Sequence, residues 1–404
     1  MKIVYGVHGY GRGHSMRARA VLPALTSRHD VLLLAGGDAY EALSPDYPVT
    51  RIPILRFQYR RPGRISVRRT LRDNAGTLAD LMLRRGAMRD VIERIRTFKA
   101  DVVISDSEVF TNRAAACLRV PRISFDHFGV LVYCHLPLDA VDRLRAAGQA
   151  AVYRLLMGTP QRVVVSSFFD AAPKRPGVRV IGPVIRPEAR ALKPAAGDHL
   201  LAYFSIGEKE FDARVEQALR QAGVPVRIYG APRTGSDGNL TFKPIANRPF
   251  LEDFASCRAI LGTTGNQLLS EALHFGKPVL GLPIDCLEQR INAAAVERLG
   301  IGWSRRREDL SSDLIQSFLE RAPRFRESLK CGARDGEREA IEAIEAFAVE
   351  LTGSKGISRG SPAPGCPAPV NAPEILHTRE LQEKQRDIRF RTEAAMTPHT
   401  QEAL

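Results

Sequence analysis

Apolar runs recur through the first part of the chain at residues 2–7, 31–35, 49–54, 101–105, 121–125 and 161–166, and stretches with helical spacing of apolar positions separate them, as at 15–28, 76–98 and 137–157. Short apolar strands alternating with helices predict a parallel sheet covered on both faces. The segment Val178 to Arg186, VRVIGPVIR, contains a Gly-Pro pair suited to an interdomain turn. A second series then begins, with strands expected at 200–205, 225–229, 240–243, 259–262, 278–282 and 301–303. The pattern therefore predicts an α/β protein of two Rossmann-like domains, residues 1–184 and 185–335, facing each other across a cleft. Residues 336–352 read as one amphipathic helix, and from 353 to 404 a Pro-, Gly- and Ser-rich stretch followed by charged residues predicts a disordered tail with a short helix around 374–388. No repeat of solenoid length is present.

The stretch from Gly262 to Asn292, GTTGNQLLSEALHFGKPVLGLPIDCLEQRIN, adds chemistry to this pattern. A buried strand at Ala259 to Leu261 runs into a turn, Gly262 to Gly265, whose backbone N–H groups can face a phosphate at the start of the next helix. Thr263, Thr264, Gly265 and Asn266 are the candidate contacts at that turn. Glu271 follows six residues after Gly265, and a carboxylate so close to a phosphate is better explained by the two hydroxyls of a ribose. Gly276-Lys277-Pro278 stops the helix, a strand follows, and Glu288-Gln289 opens another helix over the same crevice, where the pair suits sugar hydroxyls.

The first strand leads into Val7-His8-Gly9-Tyr10-Gly11-Arg12-Gly13-His14-Ser15, a glycine-rich turn before a helix. The dinucleotide order G-x-G-x-x-G fails, because His14 stands three residues after Gly11, so no oxidoreductase is indicated. Gly11 and Gly13 are expected to bring the backbone close to the cleft, with His14 pointing into it from a helix capped by Ser15. Asp106, just after the strand Val102 to Ser105, lies at the sheet edge where such sites form, with Glu108 as the alternative. The residues leave open whether His14 transfers a proton or only contacts phosphate or caps the helix. His8 and His127 read as structural or acceptor contacts.

Gly265, Glu271, Gly276, Pro278, Pro283, Glu288, Gln289 and Asn292 together resemble the donor-binding motif of GT-B glycosyltransferases. The spacing is most similar to the branch that contains the bacterial transferase adding N-acetylglucosamine to the lipid-linked peptidoglycan precursor, together with archaeal and bacterial relatives. Plant-type members carry a His near the pyrophosphate and an Asp before the Gln, where this chain has Thr263 and Glu288. The resemblance implies an inverting, metal-independent transferase that takes a sugar from a nucleoside diphosphate sugar, most simply a UDP-sugar, with no cofactor. It makes His14 the general base and Asp106 its orienting partner. It also implies a donor-phosphate loop at Ser205-Ile206-Gly207, a nucleobase contact at Phe250, and a helix at 336–352 that crosses back to the first domain. The acceptor would be a hydroxyl, lipid-linked and cell-envelope acceptors included. A nucleotide-sugar 2-epimerase and a non-catalytic sugar-nucleotide-binding subunit share the architecture and stay open as alternatives.

Charge narrows the partners. Lys and Arg number 59 against 45 Asp and Glu, a net +14, which favours anionic ligands such as nucleotide sugars or phospholipid. Arg51 to Arg72 contains eight arginines and no acid, interleaved with apolar residues, and reads as a patch for an anionic membrane surface. No nucleic-acid motif accompanies it, which argues against that partner. The six cysteines form no CxxC pair, so neither a disulfide framework nor a zinc site is indicated, and no apolar run approaches a spanning helix. The expected place is the cytoplasm, including the inner face of the plasma membrane.

Overall fold

In the computed structural model, which describes residues 1–55, 67–204, 207, 210–329 and 334–353, the two apolar series become two seven-stranded sheets. The first contains β1 (Lys2–Val7), β2 (Asp30–Ala35), β3 (Val49–Arg51), β4 (Val102–Asp106), β5 (Arg122–Asp126), β7 (Arg162–Ser166) and β9 (Val178–Ile181). Its spatial order is β3-β2-β1-β4-β5-β7-β9, all parallel. Between these strands, β6 (Cys134–His135) and β8 (Ala172–Pro173) pair as a separate antiparallel ribbon. The second sheet contains β10 (Leu200–Tyr203), β11 (Val226–Tyr229), β12 (Gly235–Asp237), β13 (Leu240–Lys243), β14 (Ala259–Gly262), β15 (Val279–Gly281) and β16 (Gly302–Ser304). Its order is β12-β13-β11-β10-β14-β15-β16, parallel except for the β12–β13 edge.

Helices fill the crossovers. The first half carries α1 (Arg12–Arg28), α2 (Gly37–Leu43), α3 (Val67–Asp73), α4 (Ala75–Leu83), α5 (Gly86–Phe98), α6 (Val109–Leu118), α7 (Gly129–Tyr133) and α8 (Ala140–Met157). The second carries α9 (Pro187–Arg190), α10 (Ala213–Arg220), α11 (Asn247–Ser256), α12 (Asn266–His274), α13 (Leu287–Arg298) and α14 (Ser312–Leu329), and α15 (Gly336–Gly353) ends the described chain. Strands such as β4 and β14 are buried at every position, which is why they read as apolar runs, broken in β4 only by Ser105 and Asp106 at its carboxyl end.

Three details differ from the sequence expectation. The helix expected over 76–98 is two helices, broken where Arg84 and Gly86 take left-handed backbone (φ 52° and 48°). The segment read as a plain interdomain turn begins with a strand, β9, whose Val178 and Ile181 are buried. Helix α1 starts before His14, with Gly11 at its N-cap (φ 85°), so Ser15 is a buried residue of the first turns and not the cap. The tail from 354, Arg56 to Arg64, Ser205 and Ile206 lie outside the described residues.

Helix α15 packs Ala340, Ala343, Ile344, Phe347 and Ala348 into the core of the first half, with Ile3, Tyr5 and Ile104. The chain thus passes between the halves twice, and the two passages touch. A Cβ on Gly336 would lie 2.3 Å from the carbonyl oxygens of Gly182 and Pro183, so only glycine fits there.

In each sheet the order of the parallel strands reverses once, between β1 and β4 and between β10 and β14. Ligands of open α/β sheets bind beyond the carboxyl ends of the strands at such points. Val7 and Asp106, paired in register, end the first pair of strands, and Tyr203 and Gly262 end the second.

Candidate active site

At the β1/β4 reversal the glycine-rich turn delivers His14 on the first turn of α1, and β4 delivers Asp106 from the sheet edge. His14 Nδ1 lies 2.6 Å from Asp106 Oδ1. Asp106 is fully buried, whereas the His14 side chain keeps 24% of its surface open. A third group completes the cluster: Arg17, one helical turn beyond His14, donates from Nε to Asp106 Oδ2 at 2.9 Å and from Nη2 to Oδ1 at 2.6 Å. Burial alone would raise the Asp106 carboxyl, but the charges and hydrogen bonds of Arg17 and His14 hold it below its ordinary value. A carboxylate acceptor at 2.6 Å makes Nδ1 the protonated nitrogen of the neutral ring. Nε2 then keeps its lone pair, and no protein group among the described residues takes it.

His8 stands edge-on to His14, with ring centroids 5.1 Å apart. Burial, then the neighbouring His14 ring, push its imidazole down to about 3, which leaves His8 neutral near neutral pH. Glu108, the alternative to Asp106, is the N-cap of α6, accepting from the backbone N–H groups of Phe110 and Thr111 at 2.9 and 2.6 Å. It holds a helix and does not reach the His14 ring.

The β10/β14 reversal is built differently. Gly265 caps α12 without any side-chain hydrogen bond to the first-turn N–H groups. That helix end therefore offers free donors and the positive end of its dipole. Thr263 is buried beside it, and buried Asn266 has an Oδ1 without a partner. Thr264 is occupied: its hydroxyl donates to the Gln289 backbone oxygen at 2.7 Å, and its N–H meets Gln289 Oε1 at 3.2 Å. Gln289 Oε1 also accepts from Ile284 N–H at 3.1 Å, so this side chain braces the turn against α13.

Glu271 is 1% exposed, and both its oxygens are taken by Arg186, at 2.8 and 3.0 Å, with Gln267 Nε2 at 2.9 Å on the first. Arg186 comes from the passage between the halves and also donates to Asn247 Oδ1. A ribose diol reaches this carboxylate only if Arg186 yields. Phe250 is 7% exposed and sits among Tyr203, Tyr229 and Phe254, with ring centroids 5.2 to 5.6 Å away. Its place is in the aromatic core, so the expected nucleobase contact is not open there. Gly207 has φ 61° after β10, a backbone suited to a tight loop.

The two reversals face each other. A Cβ on Gly13 would lie 3.9 Å from Gln267 Cβ on α12. His127 meets the Ser166 backbone oxygen at 2.7 Å and Asn292 Oδ1 at 3.3 Å, with Glu288 Oε1 3.8 Å away, which joins the halves at the floor of the cleft. Asp142 of α8 accepts from Arg290 of α13 at 2.7 Å. Among the described residues no group of three or more His, Cys, Asp and Glu side chains is placed to hold a metal ion.

Against this geometry, the family model described as glycosyl transferase family 1 matches residues 1–323. The chain belongs to that family. This glycosyltransferase is 24% identical over 337 residues to an uncharacterized glycosyltransferase of Methanosarcina acetivorans, covering 75% of this chain and 85% of that one. Among solved structures it is similar to a glycotransferase of kitacinnamycin (TM-score 0.59, 18% identity, 85% of this chain and 98% of that one). It is also similar to MurG of Acinetobacter baumannii (0.54, 15%, 85% and 99%) and to the glycosyltransferase VinC solved with dTDP (0.56, 17%, 88% and 100%). The fold is GT-B.

Two residues of the candidate site escaped the sequence reading. Arg17 carried a signal, because a cation three positions after His14 on a helix shares its face. Arg186 carried none: it pairs with a residue 85 positions away.

Proposed function

We propose that this glycosyltransferase works by a single inverting displacement, without a metal, moving a sugar from a UDP-linked donor to a hydroxyl of the acceptor. The observation that carries the reading is the open Nε2 of His14, held in one tautomer by Asp106, opposite the uncapped N-terminus of α12. His14 Nε2 takes the proton of the acceptor hydroxyl as its oxygen bonds to the anomeric carbon on the face away from the diphosphate. The bond from that carbon to the phosphate oxygen breaks, and its electron pair leaves with the diphosphate, whose charge the α12 N–H groups receive. Asp106 stabilises the imidazolium formed at His14. Thr263, Gly265 and Asn266 line the diphosphate position, Glu288 and Gln289 the sugar, and Glu271 the ribose after Arg186 moves aside.

The decisive measurement is thermal unfolding with UDP, dTDP, ADP and GDP, since a ligand at 100 times its dissociation constant stabilises by about 2.7 kcal/mol. UDP should shift the midpoint most. No shift with any nucleoside diphosphate would sink the donor reading, and a larger shift with dTDP would change the base.

The acceptor side of the proposal is a lipid-linked hydroxyl at an anionic membrane face. Arg51, Arg68, Arg69 and Arg72 are exposed. No helix among the described residues is long and apolar enough to cross a membrane. Each basic residue contributes about 1 kcal/mol near an anionic bilayer, so sedimentation with phosphatidylglycerol vesicles should fall with salt and on changing Arg68, Arg69 and Arg72 to Ser. Equal sedimentation of parent and variant would reduce the patch to plain surface.

A further inference from the structure

Apart from the cleft between the halves, α7, the β6–β8 ribbon and α8 enclose a second cleft of about 340 Å³. Leu131, Leu136, Leu138 and Ala150 line it, and Arg154 and Lys174 stand on its wall. These two cations converge: Lys174 Nζ lies 3.4 Å and Arg154 Nη2 3.3 Å from the same carbonyl oxygen, that of Val132. Neither has a carboxylate partner among the described residues. Both cations reach solvent at the mouth of the cleft, and partial burial, with the nearby charge of Arg154, lowers the Lys174 ammonium. Arg143 of α8 lines the same cleft and adds a third cation to it.

We propose that this cleft binds an anionic amphiphile, with a phosphate head between Lys174 and Arg154 and a hydrocarbon chain along Leu131, Leu136 and Leu138. Free phosphate would leave the apolar walls wetted, and an uncharged chain would forgo the two cations at the mouth of the cleft. Calling that amphiphile the acceptor rests on the transferase reading above; the binding itself does not.

The test is calorimetric titration of the full chain with decyl phosphate below its micelle concentration, against decanol and inorganic phosphate. Decyl phosphate should bind one to one, at least about ten-fold tighter than either control. K174Q/R154Q should lose about ten-fold or more of that affinity, and A147F, which fills the cleft at an exposed lining position, should abolish it at an unchanged melting temperature. Equal binding of decyl phosphate and decanol, equal binding of decyl phosphate and inorganic phosphate, or full affinity in both variants overturns the proposal. A wild-type protein that binds decyl phosphate but no nucleoside diphosphate upholds this site and removes the donor reading instead.

Discussion

At the β1/β4 reversal three ionisable side chains, His14, Asp106 and Arg17, meet through contacts of 2.6 to 3.1 Å. At the β10/β14 reversal the turn 262–265 instead offers backbone N–H groups and neutral side chains, and its nearby carboxylate, Glu271, is neutralised by Arg186. The two places are equivalent in topology and opposite in chemistry. A proton acceptor needs a ring fixed in one tautomer, which takes a charged partner and a counter-charge to keep that partner from dominating. A leaving diphosphate needs donors and no competing free acid, which a bare helix N-terminus supplies. On the proposed mechanism, one architecture would separate proton transfer from charge acceptance by placing them on different sheets.

The strongest way to break this division is at His14. In His14→Ala, turnover should fall about 10²- to 10⁴-fold while UDP affinity stays nearly unchanged. Steady-state kinetics beside calorimetry separates the two. Turnover within a few-fold of the parent removes the base assignment, and lost UDP affinity would transfer His14 to the phosphate side.

The second test acts on the other sheet. Glu271→Ala should weaken UDP by about 10- to 150-fold if the ribose hydroxyls bond to this carboxylate. It also strands Arg186, and breaking one side of a buried pair costs about 3–5 kcal/mol, measurable by urea unfolding. Adding Arg186→Met should restore most of that stability without restoring UDP affinity. If the double variant regains both, Glu271 is purely structural.

The strands were readable because burial on both faces makes them apolar along most of their length, as in β14 and in β4 up to Ile104, with the polar Ser105 and Asp106 only at the carboxyl end. The break at Arg84 was hidden, because the apolar spacing continues through Leu81, Met88, Ile92 and Ile95 on either side of it, and all four are buried in one cluster. Strand β9 was masked by the Gly-Pro that follows it. In the site, the placement of His14 and Asp106 beside each other follows from parallel strand ends, which sequence order and topology fix together. Phe250 shows the limit: a Pro-Phe helix start looks alike whether the ring faces a cleft or joins Tyr203, Tyr229 and Phe254 in a core. Likewise the Glu271 position was visible, but its Arg186 partner depends on how the passage between the halves lies against α12.

The smallest expected effect belongs to Arg17, and it sharpens the comparison most. If Arg17 only filled space, its loss would lower stability and leave the pH profile in place. If it tempers the charge that Asp106 presents to His14, its removal stabilises the imidazolium, and a base must be neutral to act. Arg17→Gln should therefore move the acid limb of kcat/KM to higher pH by about one unit, with the alkaline plateau little changed. The same variant leaves Asp106 with fewer donors. A carboxyl held below its ordinary value in the folded state contributes stability above that value and loses it as pH falls through the folded value. With the clamp removed, the folded value rises toward the ordinary one and this contribution shrinks, so Arg17→Gln should be less stable than the parent near neutral pH and lose less stability through this carboxyl as the pH falls. Arg17→Lys, which keeps the charge but not the two-point geometry, should restore the kinetic limb more fully than the stability. An unshifted acid limb in Arg17→Gln, with the protein folded, would show that Arg17 serves packing alone.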